Sequence, residues 1–517
     1  MLISFLKSSA CLLFFILLWL SPSFKNNITR LFLRFEDFLT VYKKPVLAVI
    51  IGLYTCLTVF LQFRHPLDGD ETQAWLIARD SPSLWKLFAQ MGYEGSPGLW
   101  HTILFPFAKS GVHFYAIYFL NHLFAIAAVF LWLTFAPFPL FVRFLFPFIH
   151  IFLTEYSINA RSYALSIFLL FLALTLYKKH FNKWWLWSFV FLLFANTNIP
   201  AALLTCGFAL FLFLKWMFLK SVTDGKAIWI IAVGLVLVCM QVFPPKDLAQ
   251  ELSAFKFQIN VTEITVGVIT GAASLSIFIY LALILQVAIS LKSKYALLGL
   301  LATQSALFFL FLFKYGGALR HHFYLILSIL MFLWTVDVKP TRKNSLQICL
   351  SFILLLMVTT AAGWALNNSK NYSSWKLEMA SFINQNIKPD STTFIACYPG
   401  NLSASILPYV PFRFMYFADE QRWGSFTIWN EQRVSGNFNP GIVKNVIDLS
   451  TDHVGYKSYY YLTIKELPLD SVNYYHLKQL KKTTNHYIAS AAKHWGSIYL
   501  YKLPKDSIRL PQKATRK

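Results

Sequence analysis

Negative charge is scarce in this chain: 517 residues carry 23 Asp and Glu against 46 Lys and Arg, and charged residues make up only 13%. With 57% hydrophobic and 18% aromatic residues, that scarcity excludes a single soluble domain and describes a polytopic membrane protein. Paired cysteines are missing too. Cys11, Cys56, Cys206, Cys239, Cys349 and Cys397 show no Cys-x-x-Cys spacing, and all but the last lie in apolar runs, so neither a disulfide framework nor a zinc site is expected. No internal repeat or low-complexity linker stands out. A net charge of +23 would suit nucleic acid if the basic residues shared one face, but they fall in short clusters between apolar segments. That is positive-inside topology with a basic tail, and nucleic acid is not an expected partner.

Long apolar runs are what the chain has in abundance. Cys11 to Leu20, preceded by Lys7, reads as an uncleaved extra helix or interfacial segment because no small-residue cleavage site follows. Lys25, Arg30, Arg34, Lys43 and Lys44 mark a cytoplasmic stretch closing an N-terminal segment at residue 44. Spans are then expected at Pro45–Phe63, Phe114–Phe135, Pro139–Leu153, Ala160–Tyr177, Trp184–Ala195, Ile199–Leu219, Ala227–Phe243, Ile264–Leu291, Tyr295–Phe313, Leu319–Val336 and Leu346–Leu366, about eleven in all. Lys178, Lys179, Lys183, Lys220, Lys226, Lys292, Lys294, Lys339, Arg342 and Lys343 all fall in loops on the inner side of this topology. From residue 367 apolar runs shorten, predicting an extracytoplasmic α/β domain. Its expected elements are a helix at Ser374–Asn386, strands at Thr393–Cys397, Arg413–Phe417, Tyr459–Ile464 and Ser497–Leu503, helical pieces such as Ser471–Lys482, and a basic tail with Lys505, Arg509, Lys513, Arg516 and Lys517.

Because carboxylates are rare, their concentration in His65–Trp100 carries information. Asp68, Asp70 and Glu71 follow the first secure span and Glu94 closes the same outer loop. Thr72–Arg79 and Ser83–Met91 read as short amphipathic helices on the outer membrane face. Glu155 and Arg161 flank the next outer loop, and Arg320, His321 and His322 begin the tenth span, so all share one side of the membrane. Ionisable residues beside a bilayer are costly unless they pair, hydrate or act. A wet loop also holds single carboxylates without any function.

The Asp70-Glu71 pair, opening a long outer loop right after the first span, resembles the GT-C glycosyltransferases that use polyprenyl-phosphate sugars, such as the protein O-mannosyltransferases and the lipid A aminoarabinose transferases. Tyr93-Glu94-Gly95-Ser96-Pro97-Gly98-Leu99-Trp100 is similar to a further segment of those enzymes, with Ser96 where a basic residue stands and Gly98 for a second proline. Glu155-Tyr156-Ser157-Ile158-Asn159-Ala160-Arg161-Ser162-Tyr163 and Gly316-Gly317-Ala318-Leu319-Arg320-His321 resemble two others. Over roughly the first 365 residues the resemblance implies a GT-C-like catalytic domain at 45–366, a polyprenyl-phosphate sugar donor, a catalytic set of Asp70 as general base, Glu71 as its support and Asp68 in reserve, and inversion at the anomeric carbon.

The chemistry calls for these residue types. An acceptor hydroxyl on a lipid, glycan or protein is a poor nucleophile until a carboxylate takes its proton. A departing polyprenyl phosphate needs positive charge at the membrane surface, for which Arg320, His321 and Arg161 are candidates. His65, Glu94 and Glu155 complete the expected substrate-binding set. Bland readings stand beside these: Glu71 as a helix cap, Glu155–Arg161 as a structural ion pair, His322 in packing or headgroup contact, and Tyr459, Tyr460, Tyr461, Trp423 and Trp429 in ordinary packing rather than carbohydrate stacking. No ligand spacing supports a metal, so a cofactor-free site is expected, with a divalent cation as the alternative. A lipid-linked-glycan transporter or flippase, or a glycan polymerase or ligase, are the competing functions. The expected location is the cytoplasmic membrane, with the site outside.

Overall fold

The computed structural model describes residues 13–14, 16–248, 276–368, 375–431, 433, 456–474, 476–484 and 497–503. Most of the expected outer loop at Pro244–Glu263, residues 264–275 of one expected span, and the basic tail from Lys505 to Lys517 lie outside them. The chain enters as helix α1 (Pro22–Val41) and then α2 (Lys43–Gln62). The stretch expected to be merely cytoplasmic is therefore helical. Ser21 caps it, accepting from the Phe24 N–H at 3.3 Å, and Pro22 pre-sets the first turn. Ahead of it, Trp19 of the first apolar run donates to Gln286 at 3.0 Å, and Phe14 stacks on Phe352.

The segment after α2 folds into three helices: α3 (Gly69–Asp80), α4 (Leu84–Glu94) and α5 (Leu99–Lys109). Two were expected. The bundle continues through α6 (Ala116–Phe135), α7 (Leu140–Leu145), α8 (Ser162–Lys179), α9 (Trp184–Ala195), α10 (Ile199–Leu219), α11 (Val222–Val242), α12 (Ser276–Ser290), α13 (Lys294–Phe309), α14 (Leu319–His322), α15 (Tyr324–Thr335) and α16 (Pro340–Asn368). Among the described residues, 7 helices are long and apolar enough to cross a membrane, and Trp184–Ala195, Ile279–Ser290 and Leu319–Thr335 are shorter apolar ones. The expected span at Pro139–Leu153 is not one helix. It breaks into α7, a tight turn at Phe146–Phe148 and a widened helix at Ile151–Tyr156. Pro147 is the physical reason, since it lacks an N–H and its ring clashes with the preceding turn. The backbone N–H groups of Leu140 and Phe141 both donate to Glu36, which anchors α1 to the start of α7.

Past the boundary expected at residues 366–367 the structure becomes α/β. α17 (Trp375–Asn386), β1 (Thr393–Tyr398), α18 (Gly400–Ile406), β2 (Met415–Phe417), β3 (Arg422–Gly424), β4 (Ser458–Thr463), α19 (Leu469–Tyr474), β5 (Lys478–Thr484) and β6 (Ser497–Leu503) form a six-stranded sheet ordered β3-β2-β1-β4-β6-β5. β1 runs parallel to β2 and β4, and the other pairings are antiparallel. The helix expected over Ser471–Lys482 is corrected: it ends at Tyr474, and residues 478–484 form the edge strand. Lysines along an exposed edge suit such a strand because they discourage pairing with another chain. Tyr459 and Tyr461 pack on one face of the sheet and Tyr460 on the other, all buried, which is the ordinary-packing alternative.

Helix α3 joins the two halves. Glu71 to Ala78 are all buried, so α3 does not lie on the membrane face as an amphipathic helix. Ala74, Trp75, Ile77 and Ala78 belong to the core of the bundle, while Leu76 belongs to the core of the C-terminal domain with Met379, Leu402 and Ile406. Leu76→Ala is expected to cost about 2–5 kcal/mol and to speed hydrogen exchange in α17. Unchanged exchange there would show that α3 is not part of that core.

Candidate active site

Local chemistry at the start of α3 sets the geometry. Asp68 is its N-cap, with its carboxylate accepting from the Gly69 N–H at 2.8 Å, while Glu71 accepts from the Asp68 N–H at 2.6 Å, completing a capping box. Glu71 does more than cap. Its side chain, 1% exposed, also accepts from the Ala160 N–H at 2.5 Å and meets His65 Nε2 at 3.0 Å. Burial lowers the basicity of His65, but the Glu71 carboxylate outweighs it and leaves the pKa raised. The His65 carbonyl accepts from Tyr118 at 2.7 Å. His65 and Glu71 thus tie α3 to the end of α2, to α6 and to the loop before α8.

Asp70 points the other way. Its side chain is 57% exposed, with Oδ2 2.7 Å from Arg161 Nη1 and 3.6 Å from Arg320 Nη2. Arg320 also reaches Glu155 at 3.6 Å, and Asn159 donates to Glu155 at 3.1 Å. Arg161 is therefore paired with Asp70, not with Glu155 as the structural reading of the sequence supposed. The guanidinium of Arg161 sits 5.6 Å from the Tyr163 ring centroid. Tyr163 shares a 2.6 Å hydrogen bond with His321 Nε2, and His321 Nδ1 accepts from the Ala318 N–H at 2.8 Å. An Nδ1 that accepts carries no proton, so the His321 ring is neutral and positions Tyr163 rather than supplying charge.

Glu94, at the end of α4, accepts from Gln73 at 3.0 Å. Burial lifts its pKa to about 7, against the opposing pull of Gln73. The same Gln73 amide exchanges two hydrogen bonds with the Thr427 backbone of the C-terminal domain, at 3.0 and 3.1 Å. Two further groups from that domain reach the site. Lys376 Nζ lies 2.7 Å from Asp68 Oδ1, and Tyr409 accepts from the Leu67 N–H at 2.9 Å. Desolvation works against the Asp68 charge, but the Lys376 ammonium prevails and holds its carboxyl well below the usual carboxylate range. Neither Lys376 nor Tyr409 was expected. A sequence separation of 308 between Lys376 and Asp68 leaves no local spacing to betray the contact.

The structure brings Asp70, Arg161, Glu155 and Arg320 into one ion-pair network and hangs Asp68, His65, Glu71 and Glu94 on the same helix or beside it. Among the described residues no group of three His, Cys, Asp or Glu is placed to hold a metal ion.

Glu94 gives a pH signature. Its folded pKa lies above the ordinary 4.5, so the folded state holds a proton that the unfolded chain has released. That contribution is present at low pH and is lost as pH rises through about 7. Glu94→Gln, which keeps an acceptor for Gln73, is expected to raise the thermal midpoint more at about pH 8 than at about pH 5. An equal change at both pH values in differential scanning fluorimetry would refute the assignment.

Compared with known proteins, the chain matches no family model and no curated protein sequence. Its fold is similar to that of ArnT from Cupriavidus metallidurans, whose crystal structure was obtained bound to undecaprenyl phosphate. The TM-score is 0.50 at 10% sequence identity, over 90% of this chain and 99% of that one. The shared fold is a multi-pass helical bundle with a C-terminal sheet domain.

Proposed function

We infer from the GT-C fold and from the Asp70 network that the chain is a membrane glycosyltransferase, moving a sugar from a polyprenyl phosphate to an acceptor hydroxyl on the outer face. The observation that carries this reading is the pairing of an exposed carboxylate with two guanidiniums at the start of α3. The fold supports the donor class, since ArnT was crystallised with undecaprenyl phosphate.

In this reading Asp70 is the base. Both guanidinium contacts fall on Oδ2, so among the described residues Oδ1 is left for the acceptor hydroxyl. As the acceptor oxygen attacks the anomeric carbon, its proton passes to Asp70. The bond from that carbon to the phosphate oxygen breaks, with the electron pair going to the phosphate. The charges then move in step. Asp70, Glu155, Arg161 and Arg320 sum to zero before the proton arrives and to +1 after it, while the phosphate changes from diester to monoester and gains one negative charge. Neutralising Asp70 releases Arg161 and Arg320 to the leaving group where the negative charge develops. A single displacement of this kind inverts the anomeric carbon.

Purified protein supplied with a panel of polyprenyl-phosphate hexoses and pentoses and with membrane extract as acceptor is expected to release polyprenyl phosphate. Asp70→Asn should slow release by roughly 10²–10⁴-fold, and Arg161→Gln should slow it without abolishing donor binding. Turnover that survives Asp70→Asn assigns the base elsewhere. Movement of the lipid-linked sugar across the membrane without transfer replaces the reading with a transporter. Loss of turnover on chelation, restored by a divalent cation, moves the phosphate's counter-charge from Arg161 and Arg320 to a metal.

A further inference from the structure

At the opposite end of the bundle from Asp70, the last turn of α8, the turns after α6, α12 and α15 and the start of α16 line an open cavity of about 390 Å³. Its position follows from chain direction: α8 runs from Arg161 beside Asp70 down to Lys178, and the segment from Arg320 runs down to Asp337. Lys178, Lys292 and Lys343 line the cavity together with a single carboxylate, Asp337, above an apolar floor that includes Phe138 and Trp334. Three ammonium groups against one carboxylate leave an excess of two positive charges. The pairing is weak as well, since Lys178 lies 3.9 Å from Asp337, whose side chain is largely exposed. Among the described residues, Lys292 and Lys343 make no side-chain ion pair.

The backbone holds these lysines in place. Leu291 and Val338 form an isolated antiparallel bridge, the Lys292 N–H donates to the Asp337 carbonyl at 3.3 Å, and the Lys339 N–H donates to the Ser290 carbonyl at 2.8 Å. Lys292 therefore projects from a turn stitched to the turn that leads into α16, which carries Lys343. Trp334 is 1% exposed and packed edge-on against Trp132 and Phe138 and at a tilt against Phe171, so the floor is rigid.

We propose that this cavity is a binding site for the phosphate headgroup of an anionic phospholipid, distinct from the sugar-transfer site. The shape separates a lipid from a free anion. Lysines are suited to phosphate as point charges, and an apolar floor beneath them receives the glycerol and first methylenes, which inorganic phosphate lacks. Basic pockets between span ends are places where anionic headgroups gather. The volume falls within the range that encloses a small organic group.

The test uses the full-length protein in a neutral detergent, with native mass spectrometry and thermal unfolding as readouts. Dioleoyl phosphatidylglycerol is expected to remain bound and to raise the unfolding midpoint, while dioleoyl phosphatidylcholine and inorganic phosphate at equal concentration are not. The triple variant Lys178→Gln, Lys292→Gln, Lys343→Gln should lose roughly tenfold or more of the phosphatidylglycerol affinity. The matched variant Lys183→Gln, Lys220→Gln, Lys226→Gln, altered at helix ends and loops of the same face outside the cavity, should retain it. Equal losses in the two variants, or equal retention of phosphatidylcholine by the wild type, overturn the proposal in favour of diffuse attraction. Stabilisation by inorganic phosphate alone overturns the lipid assignment.

Discussion

A buried carboxylate that must be satisfied organises this molecule. Glu71 is 1% exposed and accepts from two backbone N–H groups and meets the His65 ring. Removing a partner from such a group leaves charge or donors stranded away from water, at a cost of several kcal/mol. Because the contacts come from the end of α2, the cap of α3 and the loop before α8, satisfying Glu71 fixes three parts of the chain at once. Asp70, one residue earlier, is thereby turned outward onto Arg161.

The same helix transmits the constraint to the C-terminal domain. Leu76 enters that domain's core, Gln73 pairs with the Thr427 backbone, Asp68 pairs with Lys376, and Arg79 with Asp80 reaches the Arg413 side chain and carbonyl. A helix of 12 residues between two bodies therefore carries its base candidate on the only part not covered, near its N-terminus. The domain is then part of the support of the site. In the proposed reaction the quartet of charges beside it is neutral until a proton arrives, which avoids holding an unbalanced cation near the lipid while the donor is absent.

Much of this was legible in the sequence, for identifiable reasons. Apolar length marked the long spans, and the alternation of spans put Asp70, Arg161, Glu155 and Arg320 at one end of the bundle, where the structure joins them. What escaped was non-local or locally ambiguous. Pro147 splits what hydropathy reads as one span, since apolar content does not register a missing N–H. Lys478–Lys482 looked helical because lysine-rich stretches have good helix propensity, and pairing with β6 overrode it. α3 was read as amphipathic and surface-lying, yet it is buried all round, because the second body that covers it comes from the far end of the chain. His321 and Arg320 are neighbours with different roles, and only the acceptor state of the His321 Nδ1 reveals it.

In the proposed site Glu71 orients Asp70 toward Arg161. A double-mutant cycle of Asp70→Asn and Arg161→Gln, read as affinity for undecaprenyl phosphate, measures their coupling directly. A coupling of about 0.5–3 kcal/mol is expected in the otherwise native protein, collapsing toward zero when the cycle is repeated on Glu71→Gln. An undiminished coupling in the Glu71→Gln background would contradict it.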